Sequence, residues 1–304
     1  MNDLRQLRHF VSLAEHGHFA RAAEAVHLTQ PALSRSIQAL ESQLGCRLVD
    51  RHSRGCSLTE HGQLVLQHAR RLLAGSRALS NAVSQLTNLA SGELRLGAGP
   101  FPAARLVPQA VGCFTERYAQ VQVRLQVENW LQLRQRLLDD ELELFVADIR
   151  EIEHDPQLCI TPLQRHQGVM FCRPDHPLVG QGPLSYAELR RYPLASPRLP
   201  QKVEQQLALV APQAEPLSIL CDNVLVLKEL VCNSQAISLA PWDVVAQDVS
   251  CGRLAVLPLV DALSQHSAYG IVSHSGHSLS PAAAELQAIL LSQDGGASVP
   301  PYPA

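Results

Sequence analysis

The sequence predicts an α/β protein with a small helical head, a long connecting helix and a larger body. Residues 1–58 contain three short helical patterns followed by an arginine-rich turn, and residues 59–91 form one long helical pattern. Residues 93–292 alternate apolar, strand-like runs with helical patterns, as in an α/β domain. Residues 293–304 include two glycines and three prolines and are predicted to be a flexible tail.

Charge is distributed unevenly along the chain. Residues 1–92 carry ten arginines, no lysine and six carboxylates, whereas the remaining residues carry 15 basic and 22 acidic side chains. A basic head on an acidic body favours contact between the head and phosphate groups, although chance segregation of surface charges would produce the same asymmetry.

Composition indicates the cellular location of the protein and whether it binds a metal or cofactor. No apolar run is long enough to span a bilayer and residues 1–6 resemble no signal peptide, so we expect a cytoplasmic protein without a membrane partner. The eight cysteines form no C-x-x-C pair and no zinc-ligand spacing. We therefore expect no metal site and no cofactor.

The head is predicted to contain three short helices. The first runs from about Asp3 to His16 along one apolar stripe, and the second covers about Phe19–Val26, which is rich in alanine. The third covers about Gln30–Gln43, with Thr29 as its N-cap and Pro31 in its first turn.

The third helix has one face suited to nucleic acid. Its apolar positions are Leu33, Ile37, Leu40 and Leu44. The opposite face carries side chains that can all hydrogen-bond and includes no acid: Gln30, Ser34, Arg35 and Gln38. Amides and guanidinium groups read base edges, and hydroxyls and arginines bind phosphates. An ordinary solvated face is the alternative, but it would more often carry Glu or Lys.

An arginine-rich turn follows this helix. Arg47, Arg51 and Arg54 surround a turn centred on residues 53–55. Short strands on either side would form a wing, from which Arg51 or Arg54 would reach the DNA backbone or minor groove. A solvated basic loop is the alternative interpretation.

The long helical pattern contains a possible pairing seam. Large residues recur every seven positions at Val65, Leu72, Leu79 and Leu86, interleaved four positions later with Ala69, Ser76, Val83 and Ala90. A helix of about thirty residues spans roughly 45 Å, more than packing within its own small domain requires. The pattern therefore predicts a self-pairing linker helix capped by Thr59.

About twenty positions between Phe10 and Gly62, including the run Gln30-Pro31-Ala32-Leu33-Ser34, match in fixed register the head of the LysR family of transcription regulators. Val49 departs from the pattern, since the family usually has an aromatic residue there. The resemblance implies a winged helix-turn-helix in residues 1–58, a dimerisation helix in 59–91, and homodimers or homotetramers. The predicted DNA-binding residues are Thr29, Gln30, Pro31, Ser34, Arg35, Gln38, Arg51 and Arg54.

The body is predicted to contain eight strands. They are Leu94–Gly97, Val121–Val127, Leu142–Ile149, Leu158–Leu163, Gly168–Cys172, Leu217–Cys221, Ala236–Ala240 and Tyr269–Ser273. Several lack a polar face, as buried parallel strands do. The resemblance implies an effector-binding domain in residues 93–292, with the two-lobed fold of type II periplasmic binding proteins. Lobe one would be 93–163 with 268–292, and lobe two 164–267, with hinges near 164–167 and 265–268.

Candidate effector-binding residues lie at strand ends and helix starts, where such folds bind ligands. They are Gly99, Pro100, Phe101, Pro102, Ala147, Ser196, Arg198, Asp222 and Asn223. Pro100 and Pro102 each remove a backbone donor, which argues against a simple anion clamp. Arg198 would pair with an anionic effector or be a solvated loop cation, and Asp222 would contact ligand or cap the following helix.

Together these features predict a sequence-specific transcription regulator whose partners are double-stranded promoter DNA, a small-molecule effector for which an anion is one candidate class, and RNA polymerase. A redox sensor using Cys221 and Cys232 is the main alternative, opposed by the helical pattern between them. An enzyme is disfavoured, and no catalytic residue is predicted. Gly97-Ala98-Gly99 lacks the last glycine of a dinucleotide motif, and residues 276–280 lack the closing glycine of a nucleophile elbow. The large body disfavours a purely architectural DNA-binding protein.

Overall fold

A computed structural model describes residues 3–52, 55–87, 92–201, 203–205, 217–260 and 266–294. Its contacts divide the chain into two compact units. The first comprises residues 1–86 with 138–141, and the second comprises the remainder. Below, the head denotes residues 3–87 and the body residues 92–294.

The head consists of three short helices, a hairpin and one long helix. They are α1 (Leu4–His16), α2 (Phe19–Ala25), α3 (Gln30–Leu44), β1 (Val49–His52), β2 (Gly55–Leu58) and α4 (Glu60–Thr87). The predicted helices are confirmed to within two residues at their described ends, and the predicted wing is an antiparallel hairpin. Residues 88–91, where the long helix was predicted to end, lie outside the described residues.

The helices of the head are defined by local signals and by a shared core. The Asp3 side chain accepts a hydrogen bond from the Arg5 backbone N–H at 2.9 Å, which caps the start of α1. Gly17 ends α1 with a φ of +61°, a conformation that favours glycine. The centre of the core is formed by fully buried side chains, each contributing about 1.5–3 kcal/mol: Phe10, Leu13, Leu33, Ile37 and Leu40.

The body contains ten strands and seven helices among its described residues. In chain order they are β3 (Gly92–Ala98), α5 (Pro100–Ala104), α6 (Leu106–Arg117), β4 (Val121–Val127), α7 (Trp130–Leu138), β5 (Leu144–Asp148), β6 (Leu158–Pro162), β7 (Gly168–Cys172), α8 (Tyr186–Leu189), β8 (Leu194–Ser196), β9 (Ile219–Leu220), α9 (Val224–Cys232), β10 (Ile237–Pro241), α10 (Trp242–Ser250), β11 (Ala255–Leu257), β12 (Tyr269–His274) and α11 (Pro281–Gln293).

The strands form two five-stranded sheets. The first has the order β4-β3-β5-β12-β6, and the second has the order β11-β7-β10-β8-β9. All eight predicted strands are present, and β8 and β11 are additional. The expectation of parallel strands was only partly right, because β12 runs antiparallel to β5 and β6, and β7 runs antiparallel to β10 and β11. An apolar run indicates that both faces of a strand are buried. It does not indicate the direction of the strand, because helices can cover parallel and antiparallel strands alike.

Two chain segments connect the sheets and pair with each other. The Ser267 backbone N–H donates to the His166 carbonyl at 2.7 Å, and the His166 N–H donates to the Ser267 hydroxyl at 2.9 Å. Gln167 and His266 form an antiparallel bridge beside them. The crossings therefore fall where the hinges were expected, although residue 265 lies outside the described part of the chain.

Candidate DNA-binding surface and effector cleft

The polar face of α3 is directed to solvent within the head. Gln30, Arg35 and Gln38 are exposed, and so are Thr29 and Pro31. Ser34, the remaining predicted contact on this helix, is half-buried. The helix therefore buries its leucine and isoleucine face and presents its hydrogen-bonding face outward.

Thr29 occupies the N-cap position of α3 but does not cap it with its side chain. Its backbone is extended, with φ −77° and ψ 149°, and the hydroxyl makes no capping hydrogen bond. Pro31, in the first turn, has no N–H to offer. Thr29 is therefore the N-cap residue, as predicted, but the cap is formed without its hydroxyl.

Arg51 joins the hairpin to the polar face of α3. Its Nη2 donates to the Ser34 hydroxyl at 3.1 Å, and its guanidinium lies 4.6 Å from the centre of the Phe19 ring. A cation above an aromatic face is stabilised, so one side chain connects β1, α2 and α3 into one surface. A DNA contact was predicted for Arg51 from the sequence, but these two contacts within the head were not. Arg54 lies outside the described residues.

A carboxylate of α3 holds the start of the hairpin. Glu41 Oε1 accepts hydrogen bonds from the N–H groups of Leu48 at 2.8 Å and Val49 at 3.3 Å. Val49, which stands where LysR relatives usually have an aromatic residue, is buried and belongs to the head core. The smaller side chain still anchors β1, so the departure from the pattern leaves the hairpin in place.

The long helix α4 uses its apolar positions in two ways. Thr59 caps it as predicted, accepting from the Gly62 N–H at 3.0 Å and donating to the Arg47 carbonyl at 2.8 Å. Val65 and Ala69 pack in the core of the head, whereas Leu72 and Leu79 are 53% and 68% exposed. The predicted seam is therefore not one continuous outward stripe, because its first part is used within the head.

The body contains a cleft of about 680 Å³, counting space open to solvent. Six of the nine predicted effector residues line it: Gly99, Pro100, Phe101, Pro102, Ala147 and Arg198. Further lining residues include Trp130, Asp148, Arg150, Leu199, Val203, Leu239, His266, Ser267 and Tyr269. Strand ends of the first sheet and loops of the second thus converge on one space.

The other three predicted effector residues do not line this cleft. Ser196 is fully buried. Asp222 accepts a hydrogen bond from the Arg198 backbone N–H at 2.9 Å, and so orders the loop that carries Arg198. Asn223 caps α9, accepting from the N–H groups of Leu225 and Val226 at 3.1 and 3.2 Å. Asn223, rather than Asp222, is therefore the cap of this helix.

An ion pair lies in the wall of the cleft. Arg150 Nη1 is 2.8 Å from Asp148 Oδ2, and the Arg150 N–H donates to the same carboxylate at 3.0 Å. Arg150 also donates to the His266 carbonyl. Burial raises the pKa of Asp148, and the neighbouring Arg150 only partly offsets this. The positive charge of Arg150 is therefore largely neutralised within the protein.

Two residues that line the cleft each carry a buried polar atom. The Tyr269 hydroxyl and the Trp130 indole N–H are buried and have no hydrogen-bond partner in the described part of the body. Burial, with the carboxylates of Asp243 and Asp148, raises the pKa of Tyr269 well above its ordinary value. Both groups are therefore neutral donors. Neither residue was predicted as a site residue, because the two lie 139 positions apart in the sequence, Trp130 at the start of a helix and Tyr269 at the start of a strand.

Cys221 and Cys232 are both free thiols; Cys221 precedes α9 and Cys232 is its last residue. The nine residues of this helix span on the order of 13 Å, far beyond the reach of a disulfide without unwinding. Among the described residues no group of three His, Cys, Asp or Glu side chains could hold a metal ion. No described helix is both long and apolar enough to cross a membrane.

Comparison with known proteins assigns both parts of the chain. Residues 4–63 match the family described as "Bacterial regulatory helix-turn-helix protein, lysR family", and residues 87–294 match the "LysR substrate binding domain". The chain is 60% identical over 304 residues to the SDS degradation transcriptional activation protein of a Pseudomonas species, covering 99% of each. It is 29% identical over 259 residues to the transcriptional regulator PcaQ of Agrobacterium fabrum, covering 84% of this chain and 83% of that one.

Solved structures show the same fold. CbnR, a LysR family transcriptional regulator, superposes with a TM-score of 0.67 at 20% identity, covering 96% of this chain and 99% of that one. Full-length CbnR in complex with its target DNA gives the same TM-score at 20% identity, covering 95% and 99%.

A helix-turn-helix head joined to an α/β substrate-binding body defines a bacterial transcription regulator with an effector-binding domain. The chain belongs to the LysR family.

Proposed function

We propose that this LysR-type regulator activates genes for the breakdown of alkyl sulfates. The carrying observation is the 60% identity, over 99% of both chains, to a protein named for transcriptional activation of SDS degradation. Six cleft-lining residues with aliphatic or aromatic side chains are compatible with an effector that has an apolar body: Phe101, Trp130, Leu199, Val203, Leu239 and Tyr269. The protein would act in the cytoplasm, with RNA polymerase as the partner that responds to it.

DNA is bound, in this proposal, through the exposed face of α3 and the hairpin. Gln30 and Gln38 would hydrogen-bond to base edges in the major groove, and Arg35 would bind phosphate or guanine. Arg51 would contact the backbone while staying near Ser34, and Arg54 would extend the same contact. What supports this is the exposure of the acid-free face and the position of Arg51 beside it.

The proposed domain plan has a DNA-binding domain in residues 1–58, a dimerisation helix in 59–91 and an effector domain in 93–292. Self-association is supported by the exposed Leu72 and Leu79 of α4. It is also supported by exposed apolar residues on the sheet-edge strands β4 and β9, where Val127 is 49% exposed and Leu220 60%. Such exposed apolar positions favour burial against a partner. A dimer with two-fold symmetry places two heads on half-sites about one helical turn apart.

DNase footprinting and gel shifts on the DNA upstream of the regulator's own gene test this function. We expect protection of two half-sites. The Gln30→Ala variant should lose about 1–3 kcal/mol of binding free energy at the specific site and discriminate less between sites. The matched control is Gln43→Ala, which removes an exposed amide at the far end of the same helix and should bind like the parent. Protection of a single half-site, or equal discrimination by parent and Gln30→Ala, would contradict the proposal.

A further inference from the structure

The cleft has few free backbone donors. Five lining residues are prolines and have no N–H: Pro100, Pro102, Pro197, Pro200 and Pro241. The Gly99 N–H already donates to the Val146 carbonyl at 2.7 Å, and the Arg198 N–H donates to Asp222 at 2.9 Å. Anion sites in loops and at helix starts are built from free N–H groups. The cleft therefore lacks many of the free backbone N–H groups that would bind a sulfate or carboxylate.

The charges around the cleft also disfavour a buried anion. Arg150 is paired with Asp148, and a second buried carboxylate, Asp243, lies near Tyr269. Arg198 has no ion-pair partner among the described residues, but its side chain is exposed and hydrated, which weakens its attraction for an anion. Asp243 is itself paired with Arg105 at 3.5 Å, so of the arginines around this space only the exposed Arg198 is not engaged by a carboxylate among the described residues.

The polar groups that remain suit a hydroxyl. Tyr269 and Asp148 stand opposite each other in the register of β12 and β5, so their side chains leave the sheet on the same face. The Tyr269 hydroxyl and the Trp130 N–H are buried donors without partners among the described residues, and Asp148 is an acceptor. A hydroxyl group can accept a hydrogen bond from the first two and donate one to the third, which an anionic head group cannot do.

We infer that the effector is an uncharged amphiphile, an apolar chain with one hydroxyl head of the long-chain primary alcohol class. The hydroxyl binds beside Tyr269, Trp130 and Asp148, and the chain lies against Phe101, Leu199 and Leu239. This inference rests on the proposed function. Hydrolysis of an alkyl sulfate takes up one water, cleaves the sulfate ester and releases hydrogen sulfate and the alcohol. The regulator would therefore respond to a product of sulfate ester hydrolysis rather than to its substrate.

Titration of the full chain with 1-decanol below its solubility limit, and with decyl sulfate and decanoate below their micelle concentrations, tests the inference. The chain contains two tryptophans, so the Trp242→Phe background leaves Trp130 in the cleft as the fluorescent reporter. We expect 1-decanol to bind at least tenfold more tightly than either anion. An anion that binds as tightly as the alcohol, or no binding of the alcohol, would overturn the inference.

Variants identify the head-group site. Tyr269→Phe, which keeps the ring, should weaken 1-decanol binding about three- to tenfold, as loss of one hydrogen bond does. Tyr192→Phe makes the same change outside the cleft and should bind like the parent. A larger loss with Arg198→Ala than with Tyr269→Phe would overturn the assignment. Calorimetry on Trp130→Phe provides a second variant, expected to show a similar loss.

The two proposals fail in different ways. Gel shifts of the parent and of Tyr192→Phe, which changes a tyrosine outside the cleft, should show equal DNA affinity without effector. Normal DNA binding combined with preference for an anion would remove only the alcohol assignment. Absence of binding to any promoter fragment would remove the proposed function.

Discussion

The polar face of α3 and the effector cleft are assembled in opposite ways. The predicted DNA contacts outside the hairpin lie between Thr29 and Gln38, and one arginine from the adjoining hairpin completes the described surface. The cleft takes its walls from positions as far apart as Gly99 and Tyr269, supplied by both sheets. One site is therefore a property of a short segment, and the other exists only when the whole body is folded.

Their chemistry differs as well. The α3 face exposes several donors and no acid, which suits a polyanion whose phosphates and base edges are mostly acceptors. In the cleft, prolines and existing hydrogen bonds leave few backbone donors, and the main cation is already paired. The α3 face therefore favours a polyanion, whereas the cleft, in our proposal, favours an uncharged molecule.

The largest expected effect comes from a substitution that disrupts the head and leaves the effector cleft intact. A Cβ placed on Gly62 would stand 2.1 Å from the Leu48 carbonyl oxygen, which also accepts the Thr59 N–H. Gly62→Ala must therefore push the hairpin away from α4. We expect DNA affinity to fall about a hundredfold, and the head to lose about 2–3 kcal/mol of stability. Gel shifts and thermal unfolding measure these two quantities.

Gly75→Ala is the matched control for Gly62→Ala. Gly75 lies in the same helix with nothing within 4 Å of its added Cβ, so alanine should stabilise the helix by about 0.5–1 kcal/mol. Ligand binding in the cleft should be unchanged in both variants. Normal DNA binding by Gly62→Ala would show that the contact between hairpin and helix does not support the DNA-binding surface.

The head was predictable from sequence because its determinants are local. The spacing of Leu33, Ile37 and Leu40 sets the buried face of α3, and Gln30 and Arg35 follow on the exposed face from helical geometry alone. What sequence did not reveal is the contact of Arg51 with Phe19 and Ser34. That contact depends on how the hairpin folds back, although the pairing of a wing arginine with an aromatic residue at the start of α2 was a usable signal.

The cleft was only partly predictable because distant segments form it. The positions of strand ends correctly indicated the loop at Gly99 and the end of β5. They also indicated Ser196, which is buried, and Asn223, which caps a helix. Tyr269 was missed because nothing in its own neighbourhood distinguishes a strand residue in the core from one beside a ligand. Only the register that places it opposite Asp148 shows the difference.

A smaller expected effect on DNA affinity tests whether Arg51 contacts phosphate. If its guanidinium contacts phosphate as well as Ser34, Arg51→Ala should weaken specific and non-specific DNA binding by a similar factor, about five- to tenfold. The plot of log affinity against log salt concentration should also become less steep by about 0.9. Gel shifts or fluorescence anisotropy at several salt concentrations measure both.

Two controls accompany Arg51→Ala. Arg117→Ala removes an exposed positive charge from the body and should leave the salt slope unchanged. Ser34→Ala removes only the hydroxyl that accepts from Arg51. An unchanged salt slope in Arg51→Ala, with weaker specific binding alone, would mean that this arginine positions α3 without touching phosphate.

The smallest expected effect is a pH dependence in the body. Burial raises the pKa of Asp148, so its carboxyl binds a proton more tightly in the folded than in the unfolded chain. Its contribution to stability therefore decreases as pH rises from the ordinary carboxyl pKa through the folded value. Asp148→Asn removes this loss, so its melting temperature relative to the parent should increase between pH 4 and pH 7.

Asp155→Asn, the same substitution elsewhere in the body, should show the opposite trend. Burial favours a higher pKa for Asp155, but hydrogen bonds from the Gln157 N–H and from Arg134, whose Nε is 2.6 Å away, outweigh burial and lower it. The stability contributed by a carboxyl with a lowered pKa is present at neutral pH and is lost as pH falls through the folded value. Asp155→Asn should therefore become less stable relative to the parent as pH rises. Parallel trends for the two variants would show that the burial of Asp148 in the cleft wall does not govern its ionisation.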